Sequence, residues 1–159
     1  MPSELEARLL LPDLAADHPG DPVAFAFAAA ARLDEWHPAI VVIKLGELGS
    51  VVRVGGRSAR IPALNVRVVD ATGAGDAFCG GFVVGWLTTG DARVAAACGT
   101  VSAADTIGAF GAFRDDRPGP DTLMTRVDGL LGQVAADMAD ESALRDAAEP
   151  LRRAVRAAA

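Results

Sequence analysis

Lysine is almost missing from this 159-residue chain: Lys44 stands alone among 15 basic residues. No basic cluster occurs outside Arg152, Arg153 and Arg156, and the net charge is −6. That balance argues against nucleic acid as the main partner. Cysteine is scarce too. Cys79 and Cys98 have apolar neighbours and no ligand-like spacing, so they read as buried small hydrophobes in a reducing cytoplasm rather than as a disulfide or redox pair. The longest apolar run, Ala77 to Leu87, falls short of the roughly 20 residues a bilayer span requires. The N-terminus, Pro2-Ser3-Glu4-Leu5-Glu6, carries no signal-peptide pattern. A soluble, cytoplasmic protein with no membrane partner is expected. Two phosphate motifs are also lacking: no Gly-x-x-x-x-Gly-Lys-Ser/Thr exists, and the one glycine-rich turn misses the third Rossmann glycine.

What is present describes a globular chain, 51% hydrophobic and 23% charged, long enough to bury about 70% of its unfolded surface. Ser3 and Glu6 make a capping box ahead of Leu5, Leu9 and Leu10, which predicts a helix over Glu4–Leu11. Pro12 to Asp21 reads as a loop. Asp21 then caps a helix that has Pro22 at its first position and runs to about Trp36. The β-branched run Ile40-Val41-Val42-Ile43 predicts a strand covered on both faces in a parallel sheet. Ser50–Val54 and Ser58–Ile61 flank Gly55-Gly56 and predict a hairpin. A further strand is expected at Val66–Val69, then helices at about Gly75–Leu87, Ala92–Asp105 behind the cap Asp91, and Pro120–Leu131. Trp36 and Trp86 are expected in the core or between packed helices. His18 and His37, in Pro-flanked loops, are assigned no ligand role, and Asp115-Asp116 reads as a solvated loop. Strands alternating with helices make an α/β layered domain.

The chemistry concentrates at Gly73-Ala74-Gly75-Asp76. Two glycines let the backbone turn tightly and aim successive N–H groups at one point. The following helix adds its unpaired N-terminal amides and the positive end of its dipole. Together these form an anion hole suited to a phosphoryl group. A carboxylate beside such a hole is repelled by the ligand, so Asp76 needs a reason. A general base for an attacking hydroxyl supplies one, worth roughly 10²–10⁴-fold in rate.

Asp70 to Gly81 resembles the second signature of the ribokinase/PfkB sugar kinases, Asp-Thr-Thr-Gly-Ala-Gly-Asp-Ala-Phe-x-x-Gly, with Ala71 in place of the first threonine. Lys44 to Gly49, with Gly46 between, resembles the family's Lys-x-Gly-x-x-Gly turn, which lines the nucleotide site. Gly99 to Ala112 resembles the segment bordering the adenine pocket, with Thr100 where asparagine is usual and Ala103 and Gly111 at matching positions. Pro2 to Glu6 resembles the Asn-x-x-Glu motif near metal and phosphates, with Ser3 replacing the asparagine. The resemblance implies a ribokinase-like layered α-β-α fold and ATP as phosphoryl donor. It also implies Mg²⁺ reached by Glu6 through water, a small sugar-like acceptor, and Asp76 as catalytic base with the Gly73, Ala74 and Gly75 amides as anion hole. Some family members bind a potassium-like cation (K⁺) beside that hole, and Asp70 and Thr72 match the side-chain positions involved.

The likeness covers about Met1 to Ala112 and corresponds only to the C-terminal portion of a full member. The Gly-Gly signature and sugar-binding residues of the first half have no counterpart here. The expected organisation is therefore a nucleotide-binding and catalytic part over residues 1–131 and an Ala/Arg-rich tail, helical or partly disordered, over 132–159. Two functions remain open at this level. One is an ATP-dependent kinase acting on a hydroxyl of a sugar or related molecule. The other is a truncated, non-catalytic nucleotide- or anion-binding remnant, stabilised as a homodimer that covers an open sheet edge.

Overall fold

Ser3 opens the first helix, α1 (Glu4–Leu10), through the reciprocal contacts its spacing from Glu6 predicts. The Ser3 hydroxyl accepts from the Glu6 N–H, and the Glu6 carboxylate accepts from the Ser3 N–H at 2.6 Å. The structure, a computed structural model, describes residues 1–111, 118–138 and 141–158. They belong to two compact units, Met1–Ala63 and Leu64–Ala159.

In the first unit α1 is followed at once by α2 (Pro12–Asp17), where the prolines led us to expect a loop. Pro12 occupies the first helical position, where its missing N–H costs nothing. Arg8 then satisfies the far end: its guanidinium donates to the carbonyls of Ala15 and His18 at 3.4 and 3.1 Å, while lying 4.3 Å over the Phe25 ring. Helix α3 (Pro22–Asp34) starts as expected, with Asp21 accepting from the Val23 and Ala24 N–H groups. Its buried residues Phe25, Ala26, Ala29, Ala30 and Leu33 form the core with Val41, Ile43 and Val51 of the sheet. Trp36 lies beyond the end of α3 and is 61% exposed, contrary to its expected place in the core.

The sheet has strand order β1-β2-β3: β1 (Val41–Lys44), β2 (Ser50–Val54) and β3 (Arg57–Ile61). The hairpin β2–β3 stands where the Gly55-Gly56 signal puts it, with both glycines at positive φ, the requirement of its tight turn. β1 is buried on both faces, as its apolar run implies, but β2 pairs with it antiparallel. Among the described residues only a single bridge, Ser3 to Lys44, is parallel. The reason is length. A 3₁₀ turn at Gly46–Leu48 returns the chain directly into β2, whereas a parallel neighbour needs a crossover of a dozen or more residues.

In the second unit the strand expected at Val66–Val69 is absent. Among the described residues no strand of this unit lies ready to pair with it, and Val68 and Val69 are 59% and 49% exposed. The stretch leads instead into α4 (Ala74–Thr89), followed by α5 (Ala92–Ile107), capped by Asp91. These helices run antiparallel at very short range. A Cβ at Gly81, Gly85 or Gly99 would stand 2.7, 2.8 or 2.8 Å from the Cys98 carbonyl, the Ala95 Cα and the Phe78 carbonyl respectively. Cys79 and Cys98, on these helices, are free and half-buried rather than fully buried. Helices α6 (Pro120–Met138) and α7 (Glu141–Ala158) complete the unit. They bury Leu130, Leu131, Val134, Leu144 and Leu151, and Arg152 pairs with Asp128 at 2.7 Å. No described helix is long and apolar enough to cross a membrane.

Candidate functional site

The glycine bend is built by its own sequence. The Asp70 carboxylate accepts the Thr72 N–H at 2.9 Å and turns the chain, and Gly73 follows at φ 79°, a left-handed conformation that would strain a side-chain-bearing residue. Gly73 is also the N-cap of α4. Helices α1, α3 and α5 begin with a side chain that accepts from their first amides; α4 does not. The Ala74 N–H is turned inward to the Ala71 carbonyl at 3.3 Å and the Ala77 N–H to Gly73 at 2.9 Å. The N–H groups of Gly73, Gly75 and Asp76 have no partner among the described residues. Three amides thus stand unspent at the positive end of a 16-residue helix.

Asp76 is in the first turn of α4 and exposed, and its carboxylate accepts no hydrogen bond among the described residues. With Gly73 it lines a cleft of about 660 Å³ bounded by α4, α5, α6 and α7. Ser102, Asp105 and Thr106 bring polar atoms to that cleft, and Leu123, Met124 and Val127 line its apolar part. All three lie in the Gly99–Ala112 segment, but the sequence singles out none of them, because they come from the far end of α5, some thirty residues from the bend. Thr100 and Ala103 are also on α5, yet neither is among the residues lining this cleft, and Thr100 is buried. Cys98 does line it. Burial pushes its thiol up to about 11.

Asp70 does more than turn the chain. Its second oxygen accepts the Gly111 N–H at 3.2 Å, and Gly111 has φ 82°. Hydrogen bonds from Thr72, then from Gly111, hold the Asp70 carboxyl below the usual carboxylate range. Asp70, Thr72, Gly73, Ala74, Gly75, Asp76 and Gly111 are therefore brought together. Ala112 and the Asp115-Asp116 pair lie outside the described residues.

In the first unit the remaining candidates also converge. The Lys44 N–H donates to the Pro2 carbonyl at 2.9 Å, which sets the N-terminal motif against the Lys44–Gly49 turn. Glu6 sits near enough to Lys44 for their charges to interact. The Ser3 amide and hydroxyl, then Lys44 and the N-terminal amine, hold its carboxyl low. Both Ser3 contacts use one oxygen, Oε2, leaving Oε1 for another partner. Gly46 and Gly49 both have positive φ, but for different reasons. A Cβ at Gly46 meets nothing within 4 Å, whereas one at Gly49 would stand 2.0 Å from the Ile61 carbonyl oxygen. Among the described residues no group of three or more His, Cys, Asp or Glu side chains is arranged to hold a metal ion.

The profile of the pfkB family of carbohydrate kinases matches residues 2–117. A sugar kinase of Archaeoglobus fulgidus is 39% identical over 84 residues, which is 53% of this chain and 34% of that protein. The ribokinase of Thermotoga maritima superposes with a TM-score of 0.61 at 28% identity, over 79% of this chain and 40% of its own. The aminoimidazole riboside kinase of Salmonella enterica, solved with aminoimidazole riboside and an ATP analog, gives a TM-score of 0.60 at 27% identity, again over 79% and 40%. The fold is ribokinase-like. The chain spans about a third of the length of the curated relatives it matches.

Proposed function

The chain belongs to the pfkB family of carbohydrate kinases, and from that premise we propose that it carries out ATP-dependent phosphoryl transfer to a hydroxyl of a sugar or related small molecule. One observation carries the reading. The N–H groups of Gly73, Gly75 and Asp76 stand unspent at the N-terminus of α4, and Gly73 and Asp76, with its unbonded carboxylate, line one cleft. In this reading the amides grip the transferring phosphoryl group and stabilise the charge spreading over its oxygens. Asp76 accepts the acceptor's hydroxyl proton as the new O–P bond forms and the bond to the leaving ADP breaks.

Lys44, Gly46 and Gly49 of the first unit, and Thr72, Ala103 and Gly111 of the second, are the residues proposed to contact the nucleotide; Thr100, buried in α5, is not among them. Magnesium fits the donor set only indirectly. With no three-ligand cluster among the described residues, the ion would be carried on the nucleotide phosphates, and the unused Oε1 of Glu6 would reach it through water. When bound, it would neutralise phosphate charge.

Asp76→Asn keeps the shape of the site and removes the base. Turnover should fall by about 10²-fold or more while MgATP binding persists; an unchanged rate would overturn the role. A second reading is a non-catalytic nucleotide- or anion-binding chain, for which the unspent amides at the start of α4 suffice without any acceptor. Isothermal titration with MgATP, paired with a transfer assay over a panel of sugars and nucleosides, separates the two. Binding without transfer to any acceptor favours the second.

A further inference from the structure

We propose that Asp70 is a positioning residue that holds the anion-binding bend in its working shape by tying it to the turn at Gly108–Gly111. The inference rests on the function proposed above. The bend has little else to fix it. The preceding residues, 62–69, join no strand among the described residues, and Gly73 and Gly75 add the freedom of two glycines. Apart from the local Asp70–Thr72 bond, what pins the bend comes from 37 to 41 positions along the chain. The Val69 and Asp70 N–H groups both donate to the Ile107 carbonyl, at 2.8 and 3.3 Å. The Asp70 carboxylate supplies the rest, taking the Thr72 N–H on one oxygen and the Gly111 N–H on the other. Both oxygens accept from backbone amides, and a charged acceptor makes each bond stronger than a neutral one would.

The consequence for binding is preorganisation. A bend already held with its Gly73, Gly75 and Asp76 amides unpaired loses little freedom when a phosphate arrives, whereas an untied one must be ordered at the expense of affinity. Asp70 touches no reacting atom and acts through those amides.

The test is MgATP titration on the full chain for wild type, Asp70→Ala, Asp70→Asn and a control, Asp91→Ala. The control removes a carboxylate that caps α5 and takes no part in the bend. Asp70→Ala should weaken MgATP binding about tenfold or more. Asp70→Asn, which keeps one acceptor oxygen, should fall between it and wild type, and it keeps the test readable should the alanine variant fail to fold. Asp91→Ala should stay within about twofold of wild type despite losing stability. Amide exchange at Thr72, Gly73 and Gly111 should accelerate in the Asp70 variants alone. Affinity within about twofold of wild type for both Asp70 variants, or an equal loss in the Asp91 control, would overturn the proposal. Failure of the wild-type chain to bind MgATP would sink the proposed function instead. The tie is then judged by the exchange rates, and unchanged rates in the Asp70 variants would end it.

Discussion

Replacing either of two neighbouring glycines in α4 with alanine should move stability in opposite directions. Gly80 and Gly81 occupy the same helix, so each gains the roughly 0.8–1 kcal/mol by which alanine exceeds glycine in helix propensity. At Gly80 an added Cβ meets nothing within 4 Å, and that gain should appear nearly whole. At Gly81 the same Cβ would lie 2.7 Å from the Cys98 carbonyl oxygen and 2.8 Å from the Ser102 Cβ. The carbonyl belongs to the backbone of α5 and cannot swing aside, so the helices must part. Overpacking of this kind costs about 1–3 kcal/mol, which leaves Gly81→Ala about 0–2 kcal/mol less stable than wild type after the propensity gain. The two variants should then differ by the overpacking cost, about 1–3 kcal/mol, or about 2–12 °C in Tm for a chain of this size. Urea titration and thermal melts of both proteins measure it directly. Equal shifts, or a Gly81→Ala protein more stable than wild type, would refute the account of α4 and α5 as helices in contact through their glycines.

Acid and thiol chemistry yield two further predictions. Burial tends to raise the Asp91 carboxyl, but the side-chain bond and charge of Arg93, and the amides of Arg93 and Val94, outweigh it and hold the group below 3.8. Its contribution is therefore complete above the unfolded value and fades as pH falls through the lower, folded one. The stability gap between wild type and Asp91→Asn, read from urea midpoints, should shrink as pH is lowered from neutrality to below 3.8; a constant gap would contradict the pairing. Cys98, raised to about 11, should resist alkylation by iodoacetamide at neutral pH and yield only as pH nears that value. Rapid labelling in the native protein, followed by peptide mass spectrometry, would refute its burial.

Local signals survived the passage from sequence to structure, and non-local ones did not. The Ser3–Glu6 box, the Asp21 and Asp91 caps, the Gly55-Gly56 turn and the bend at Gly73 each depend on residues within four positions of one another. Such features can be read from order alone. Val66–Val69 has strand-forming side chains but no partner strand among the described residues of its unit, and propensity cannot supply one. Apolarity marked β1 as buried and suggested a parallel sheet, but burial does not set strand direction; the brevity of the Gly46–Leu48 turn made β2 antiparallel. Trp36 was misplaced because a large aromatic suggests a core, whereas here it follows the end of α3. In the site, the bend and Asp76 were legible as a motif. The contact from Asp70 to Gly111 spans 41 positions, and no short pattern announces it.

The two glycines of the Lys44–Gly49 turn offer unequal freedom to anyone redesigning it. Gly49 is wedged under the backbone at Ile61–Ala63, so a failed variant there reports on assembly of the hairpin and is uninformative about ligands. Gly46 faces open space, and its left-handed backbone is one that asparagine tolerates better than most residues. Of the two glycines, position 46 is thus the one where asparagine's effect on a bound nucleotide could be interpreted without first rebuilding its surroundings.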